Sequence, residues 1–590
     1  VSATDRQTRG EGLLGLAALL GVAGVAGVFT GTAHLGAVLD GDGVRLPWHP
    51  LVLALQLRSG EAAWPERGWL ALALLTLPVV VLAVLVGLLA RRARRGRKTI
   101  DRAAGHLGRG KDLTDLSTAG ATRTARRLGI DVPGFPVGRA VAGGQPLWQD
   151  FEAVAVWIIG PRGGKTTSAA ITAILSVPGC PVLATSNKRD STDATRDLRA
   201  RTGRIWVFDP MGLADEEPTW WWNPLGAVHD EVSGLKLART LVSAARDPGA
   251  RTDAYFDKAG PSLIGNLCLA AARGVDPETG QPDPRPITQV YDWLTDSLDD
   301  EPARLLKAAG FVRSAKAVQA VIRMEPKQRG GIYGTAQELM SFLISSRTER
   351  WITDPTGARP QFDPTAFVVS TDTLYLLSKE GDASAGPLVT ALTVAVTEAA
   401  EAEAKTCPGG RLRVPLLLCL DEAANICRWH QLPDLYSHLG SRGMPVITFL
   451  QSWSQGVDVW GREGMRKLWS AANLRVVGAG VSEDEFLEGL SKFTGTFRDV
   501  TRSGSTGKDS RSRSWSEHRE RVLDVADLGA IPKGRAVLFT TGVRPVLLRL
   551  VPWMAGPHQD AVRASIAAHD PAAAVTLADA DVPDDVWAAA

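Results

Sequence analysis

Hydrophobic positions along this chain fall into three regimes. Near the N-terminus they are continuous: Leu13–Leu39 holds no Asp, Glu, Lys or Arg, and Trp69–Ala90 is a second uncharged run of 22 residues. As a helix the second would be about 33 Å long, enough to cross a hydrocarbon core of about 30 Å. From Phe151 the pattern changes to short apolar runs that end in polar residues: Val154–Ile159, Pro181–Thr185, Arg204–Phe208, Ala366–Val369, Leu374–Leu377, Pro415–Leu420, Pro445–Leu450 and Leu474–Val477. Such runs, alternating with helix-like segments, predict an α/β domain built on a largely parallel, buried sheet. Arg535–Thr540 and Arg544–Leu550 predict a hairpin that turns at Gly542. In the third regime, about 230–350, apolar residues recur at helical spacing over Leu235–Arg246, Ala254–Ala272, Ile287–Leu294 and Tyr333–Ser345, predicting an all-α insertion in the sheet domain.

Charge orients the first regime. Arg91, Arg92, Arg94, Arg95, Arg97 and Lys98 follow the second uncharged run directly, and Arg6 and Arg9 precede the first. Positive residues stay on the cytoplasmic side, so the two runs predict a transmembrane hairpin, helices about 13–39 and 69–90, with an outer loop at 40–68. Gly12, Gly15, Gly21, Gly24 and Gly27 suit close packing of membrane helices. A cleaved signal peptide over 1–39 is the rival reading, although its apolar stretch is long for one. Either way the body is expected in the cytoplasm, as part of a multi-pass protein of the cell (inner) membrane.

The expected partition is an anchor at 1–95, a basic linker at 96–150, a nucleotide-binding part at 151–229, the helical insertion at 230–350, a second nucleotide-binding part at 351–555 and a tail at 556–590. Thr501–Ser516, rich in Ser, Gly and Arg, reads as a mobile loop. Net charge is only +2, so no global basic field advertises a nucleic-acid binder. The five cysteines lack a C-x-x-C pair, which argues against a disulfide scaffold or a zinc site.

The chemistry begins at Val154–Thr167. An apolar run ends in Gly160-Pro161-Arg162-Gly163-Gly164, followed by Lys165, Thr166 and Thr167 at the head of a helix-like segment. A strand feeding a glycine turn and a helix N-terminus converges backbone N–H groups on one anion. With Lys165 for the β/γ-phosphates and Thr166 for Mg²⁺, the stretch reads as a nucleotide-binding P-loop for ATP. It departs from the usual spacing: three residues, not four, separate Gly160 from Gly164. Either a tighter turn still wraps the phosphates, or an amide donor is lost and hydrolysis weakens.

Val414–Asn425 is an apolar run ending in Asp421 and Glu422. A buried strand delivers such carboxylates to the carboxyl edge of the sheet, where Asp421 would serve the metal and Glu422 the attacking water. A helix N-cap at Asp421 would read the same way in sequence. Gln451 ends the next run, well placed to sense a γ-phosphate. Arg442, in the turn before it, could reach a neighbouring subunit's nucleotide as an arginine finger.

Gly160–Ser168, Ala184-Thr185-Ser186-Asn187-Lys188, Phe208-Asp209-Pro210, Trp222-Asn223-Pro224-Leu225, Leu420-Asp421-Glu422-Ala423 and Phe449-Leu450-Gln451-Ser452, behind two N-terminal apolar runs, resemble the TraG/TraD-like type IV secretion coupling proteins. Arg521-Val522-Leu523 and Ile531-Pro532-Lys533-Gly534 resemble the end of that family's ATPase domain. The resemblance implies a RecA-like P-loop ATPase with an all-α insertion, acting as a homo-hexamer at the membrane. It would recruit single-stranded DNA with its bound relaxase to a type IV secretion channel during conjugation. Carried over, Lys165 and Thr166 serve phosphate and Mg²⁺, Asp421 and Glu422 serve metal and water, and Gln451 reports the nucleotide state. An FtsK-like DNA translocase, or a non-hydrolysing membrane receptor with a degenerate nucleotide site, are the alternatives. Arg502, Lys508, Arg511 and Arg513 are candidate DNA contacts in a pore, or simply a solvated basic loop.

Overall fold

The computed structural model describes residues 24–41, 45–95, 98–246, 256–381, 384–507 and 510–580. In chain order its strands are β1 (Phe135–Ala140), β2 (Pro146–Gln149), β3 (Ala155–Ile158), β4 (Val182–Ser186), β5 (Ile205–Phe208), β6 (Thr373–Leu377), β7 (Leu417–Leu420), β8 (Val446–Leu450), β9 (Leu474–Gly478), β10 (Thr496–Gly507), β11 (Ser510–Arg521), β12 (Arg535–Thr540) and β13 (Val546–Arg549). The chain divides into two units: 99–495 with 522–582, and 1–98 with 496–521 and 583–590.

The larger unit is an α/β domain on one sheet of eleven strands, in the order β2-β1-β13-β12-β9-β3-β8-β7-β4-β6-β5. Neighbours from β9 to β5 are parallel, and those from β9 to β2 antiparallel. Strands β3, β4, β6, β7 and β8 are buried at every position, hence their uninterrupted apolar sequences. Register sets the site: Ile158 pairs with Leu450 and with Val477, and Leu420 pairs with Thr448 and with Thr185. The residues that follow these strand ends, Gly160, Gln451, Asp421 and Glu422, therefore come out at one carboxyl edge.

Three expectations fail here, each for a local reason. Ala366–Val369 is not a strand; it lies in the helix Pro364–Val368, because Pro364 pre-sets the first helical φ and the Asp363 carboxylate accepts the Thr365 N–H at 2.8 Å. The basic stretch before Phe151 is folded rather than a linker, with the helix Thr118–Arg127 capped by Ser117 and a hairpin of β1 and β2. Its Gly143-Gly144 pair, which suggested a flexible connection, is the turn of that hairpin, at φ 91° and 69°. The stretch is tied to β12 by a two-pronged pair, Arg535 to both oxygens of Asp101 at 2.8 and 2.9 Å. Thr501–Ser516 is likewise no loop but part of the β10–β11 ribbon, paired from Thr496 with Arg521 to Gly507 with Ser510; Lys508 lies outside the described residues.

Between β5 and β6 the described chain is helical: Glu231–Ala245, Phe256–Arg273, Thr288–Thr295, Glu301–Ala308, Val312–Ile322, Pro326–Leu339 and Ser346–Ile352. The first opens with a capping box, Asp230 and Ser233 bonding reciprocally. It crosses the second closely, since a Cβ on Gly234 would stand 2.8 Å from the Gly265 carbonyl oxygen. After β13, the helix Gln559–His569 packs Val562 and Ile566 against Ile171 and Ala194. Ser565 donates to the Asp193 carbonyl at 2.6 Å.

Arg199 is buried beneath the sheet's β4–β6 end, where it donates to the Val177 and Cys180 carbonyls at 2.6 and 2.5 Å and to Thr373 Oγ1 at 2.7 Å. Burial lowers its pKa below the usual arginine range, yet its donors are used on backbone acceptors. Arg199→Leu would orphan those carbonyls. We expect a loss of about 3 kcal/mol or more, read as a lowered denaturation midpoint.

In the smaller unit, residues 24–40 are helical and run antiparallel to the start of the helix Gly68–Arg95, with Gly36 against Gly68 and Gly31 near Leu75. The expected outer loop holds a further helix, Pro50–Ser59, started by Pro50 and stopped by Gly60 at φ 80°. Among the described residues no helix is long and apolar enough to cross a membrane. The transmembrane hairpin expected from sequence is thus not found. Residues 13–23 of its first run lie outside the described residues, and the second run falls within the helix Gly68–Arg95, which contains Pro78 and ends in arginines.

Candidate functional site

The loop after β3 is held by backbone rather than by side chains. Ile159 N–H donates to Leu450 O at 3.0 Å and Gly160 N–H to Ala479 O at 2.9 Å, so the strand end is stapled to both neighbours. Gly163 N–H then closes on Gly160 O at 3.1 Å. Arg162 takes the left-handed φ of 59° and Gly164 follows at φ 92°, a reversal of handedness of the kind that gathers N–H groups into an anion-binding concavity. The helical segment opening at Lys165 leaves its first N–H groups without intrahelical partners. Its first turn, Thr166–Ala170, is a π-turn closed by Ile171 N–H to Thr166 O, which takes up one residue more than an α-turn.

The shortened loop still brings its cation to the acids. Lys165 Nζ is 3.2 Å from Asp421 Oδ1 and pairs directly with Glu422 Oε1. Thr166 Oγ1 lies 3.4 Å from Asp421 Oδ2. Asp421 is fixed from behind by Thr185, whose hydroxyl donates to the Asp421 carbonyl at 2.7 Å, and Asp421 Oδ1 accepts the Glu422 N–H at 3.0 Å. Gln451 Nε2 donates to both Glu422 oxygens, at 2.8 and 2.9 Å. Lys165, Thr166, Asp421, Glu422 and Gln451 thus meet at one point.

Both carboxylates are almost wholly buried, at 5% and 4% side-chain exposure, against 13% for Lys165. Desolvation raises Asp421 to about pKa 6, working with the nearby Glu422 and Asp190 charges against the lowering effect of Lys165. Burial alone would lower Lys165, but Asp421 and Glu422 outweigh it and hold the ammonium above the ordinary lysine range. The cluster holds more negative charge than one lysine neutralises. That surplus, with Thr166 Oγ1 facing Asp421, fits a divalent cation such as Mg²⁺, which typically takes one or two protein oxygens beside phosphates and water. Among the described residues there is no cluster of three or more metal-ligating side chains.

The Asp421 shift gives a stability prediction. A carboxyl whose folded pKa is raised binds its proton more tightly folded than unfolded, so its contribution is present at low pH and lost as pH rises from about 4 to about 6. In nucleotide-free, metal-free protein at pH 7.5, Asp421→Asn is expected to raise the denaturation midpoint above wild type. The gain should shrink at pH 5 and vanish near pH 4.

Glu422 has φ 54° and ψ 38°, a left-handed conformation that costs a non-glycine residue energy and gathers at functional sites. The turn Ala423–Ile426 holds it, through Asn425 and Ile426 N–H groups to Glu422 O at 2.9 and 3.1 Å. Asn425 Nδ2 also donates to Glu422 Oε2 at 2.9 Å, and Gln455 Nε2 donates to Asn425 Oδ1 at 3.1 Å. Gln455 Oε1 accepts the Gln451 N–H at 3.0 Å.

Sequence reasoning assigned no role to Asn425, Gln455 or Thr185. Their only signals were a polar side chain inside the acidic motif, a second glutamine one helical turn beyond Gln451, and a hydroxyl at the tip of an apolar run. The glycines at and just beyond the end of β9 were also missed: a Cβ on Gly160 would stand 2.3 Å from Gly480 O, and one on Gly478 2.8 Å from Ile159 Cγ1. Arg442 does not join the cluster. It closes the helix Leu432–Ser441 before β8, at the opposite edge of the sheet, and pairs with Glu401 at 3.4 Å. Pro161 and Arg162 are exposed on the loop, and Thr167 Oγ1 bonds back to Gly164 O at 3.2 Å.

Residues 415–533 match the family described as the TraM recognition site of TraD and TraG. No curated protein matches the chain. Among solved structures, the bacterial conjugative coupling protein TrwBdeltaN70, in a trigonal form in complex with sulphate, is similar at 18% identity and TM-score 0.50, over 74% of this chain and 92% of that one. The plasmid coupling protein TrwB in complex with the ATP analogue ADPNP is similar at 16% identity and TM-score 0.49, over 69% and 88%. VirB4 of Thermoanaerobacter pseudethanolicus follows at 13% identity and TM-score 0.41, over 72% and 98%. The α/β fold is similar to that of the conjugative coupling protein TrwBdeltaN70.

Proposed function

We propose, from the match of residues 415–533 to the TraM recognition site of TraD and TraG, that this chain is a coupling protein and a P-loop ATPase of conjugation. In this reading it couples ATP hydrolysis to recruitment and transfer of a DNA–relaxase substrate into a type IV secretion channel. The single observation that carries the reading is the meeting of Lys165 and Thr166 with Asp421 and Glu422 at one sheet edge. Membrane attachment is supported by the smaller unit, where Trp69, Leu70, Leu74, Leu77, Val80 and Val81 are each more than half exposed. A hexameric assembly and a TraM-type accessory partner complete the proposal.

Without nucleotide, Lys165 and Gln451 both bond to Glu422 and keep it from water. ATP would draw the Lys165 ammonium to the β/γ-phosphates and free one Glu422 oxygen. Glu422 then orients a water and takes its proton as the water oxygen bonds to the γ-phosphorus and the bridging P–O bond to the β-phosphate breaks. Asp421 and Thr166 would hold Mg²⁺, which when bound supplies charge neutralisation on the phosphate oxygens. Gln451, released from one contact, keeps Glu422 in position.

The loop one residue short favours a second reading, a nucleotide-binding receptor that does not hydrolyse. ATP turnover by the oligomeric full-length chain, with and without single-stranded DNA, separates the two. Turnover stimulated several-fold by DNA and absent from Lys165→Ala supports the motor; wild-type turnover no greater than that of Lys165→Ala means the receptor.

A further inference from the structure

Away from the Lys165 cluster, a cleft of about 780 Å³ opens between the helices Glu231–Ala245 and Phe256–Arg273 and the segment Arg428–Gln431. Its charged lining is one-sided. Among the described residues, Arg239, Arg246, Lys258 and Arg428 line it together with one carboxylate, Asp458. Arg239 and Lys258 are exposed, and neither has a carboxylate partner among the described residues. Trp429 forms part of the wall, is 3% exposed, and its Nε1–H has no hydrogen-bond acceptor among the described residues. Leu235 and Val242 supply an apolar side.

We infer that this cleft binds the phosphate of a nucleotide, with the base against the apolar wall and Arg239 and Lys258 on the phosphate. Cations beside an apolar platform, with room for one base and its sugar, suit a nucleotide unit; a purely acidic peptide would have no use for the apolar side. The unit is one residue of a single strand or a free nucleotide, which share this chemistry.

The cleft is also wired to the cluster around Glu422. Arg428 Nη1 donates to Arg246 O at 2.9 Å, and its Nε donates to Ala424 O at 3.3 Å. Ala424 belongs to the turn Ala423–Ile426, whose Asn425 side chain bonds Glu422. A phosphate seated against Arg428 therefore pulls on the turn that orients Glu422. This coupling rests on the ATPase reading above; the binding site does not.

The test uses the full chain and two double variants: Arg239→Glu with Lys258→Glu in the cleft, and Arg313→Glu with Lys316→Glu, equal in charge and exposed on the helix Val312–Ile322. Affinity for a fluorescent twenty-residue oligothymidylate is measured across a salt series, and affinity for ADP in a Lys165→Ala background. We expect the cleft variant to lose at least ten-fold in oligonucleotide affinity and to have a shallower salt slope by about 0.7 per lost phosphate contact, with the control unchanged. A loss confined to ADP makes the ligand a free nucleotide and keeps the site. Equal affinities of the cleft and control variants for both probes overturn the proposal. Absence of ATP turnover in wild type, with the oligonucleotide effect intact, removes the ATPase reading and leaves the site standing.

Discussion

Glu422→Gln is expected to cut ATP turnover by two to three orders of magnitude while leaving nucleotide affinity within a few-fold of wild type. The amide keeps the shape of the carboxylate and still accepts a hydrogen bond from Gln451, but it cannot take a proton from water, and general-base loss of this kind costs about 10²–10⁴-fold. Lys165→Ala should fail differently. It removes the cation that faces the phosphates and leaves Asp421 and Glu422 buried with no partner of opposite charge among the contacts described. Binding and turnover should fall together, and the nucleotide-free protein should be less stable than wild type. Single-turnover measurement beside equilibrium binding tells the two apart. If Glu422→Gln hydrolyses within ten-fold of wild type, Glu422 is a structural acid and another group serves the water.

The contrast shows which parts of this molecule were legible in its sequence. Parallel strands buried at every position write themselves as unbroken apolar runs, so β3 to β9 could be read almost residue by residue. The antiparallel hairpin at one end of the sheet could not. β1 and β2 are half-exposed, carry prolines and turn at Gly143-Gly144, and so looked like a linker. The ribbon β10–β11 is polar along its sequence and looked like a loop, because the pairing of polar strands leaves no hydrophobic alternation to read. The same limit applied to the site. Lys165, Thr166, Asp421 and Glu422 announce themselves by residue type at strand ends. Asn425, Gln455 and Thr185 act by holding those groups, which depends on register and on a helical turn that no local pattern encodes. Arg442, expected as a finger toward a neighbouring subunit's nucleotide, stands outside its own chain's cluster, at the amino edge of the sheet beside Glu401.

Gly160→Ala should be nearly as damaging as loss of Glu422, although the residue carries no chemistry. A Cβ there would stand 2.3 Å from Gly480 O and 2.6 Å from Gly480 C, both backbone atoms that cannot rotate away. Gly480, itself at φ 82°, would place its own Cβ 3.1 Å from Gly160 Cα, so neither side of the contact has room to yield. Relief requires the strand end to move, which breaks the Gly160 N–H bond to Ala479 O and carries Gly163 and Lys165 with it. Overpacking of this kind costs about 1–3 kcal/mol. A displacement of about 1 Å at the phosphate amides costs about a further hundred-fold in rate. Gly179→Ala, where a Cβ meets nothing within 4 Å, is the matched control and should behave as wild type. The short loop makes the outcome informative. A loop of normal length has slack to absorb a methyl group at its base, whereas one seated on the β9 backbone with a residue fewer has none. Wild-type nucleotide affinity in Gly160→Ala would show that the loop is not held by this contact.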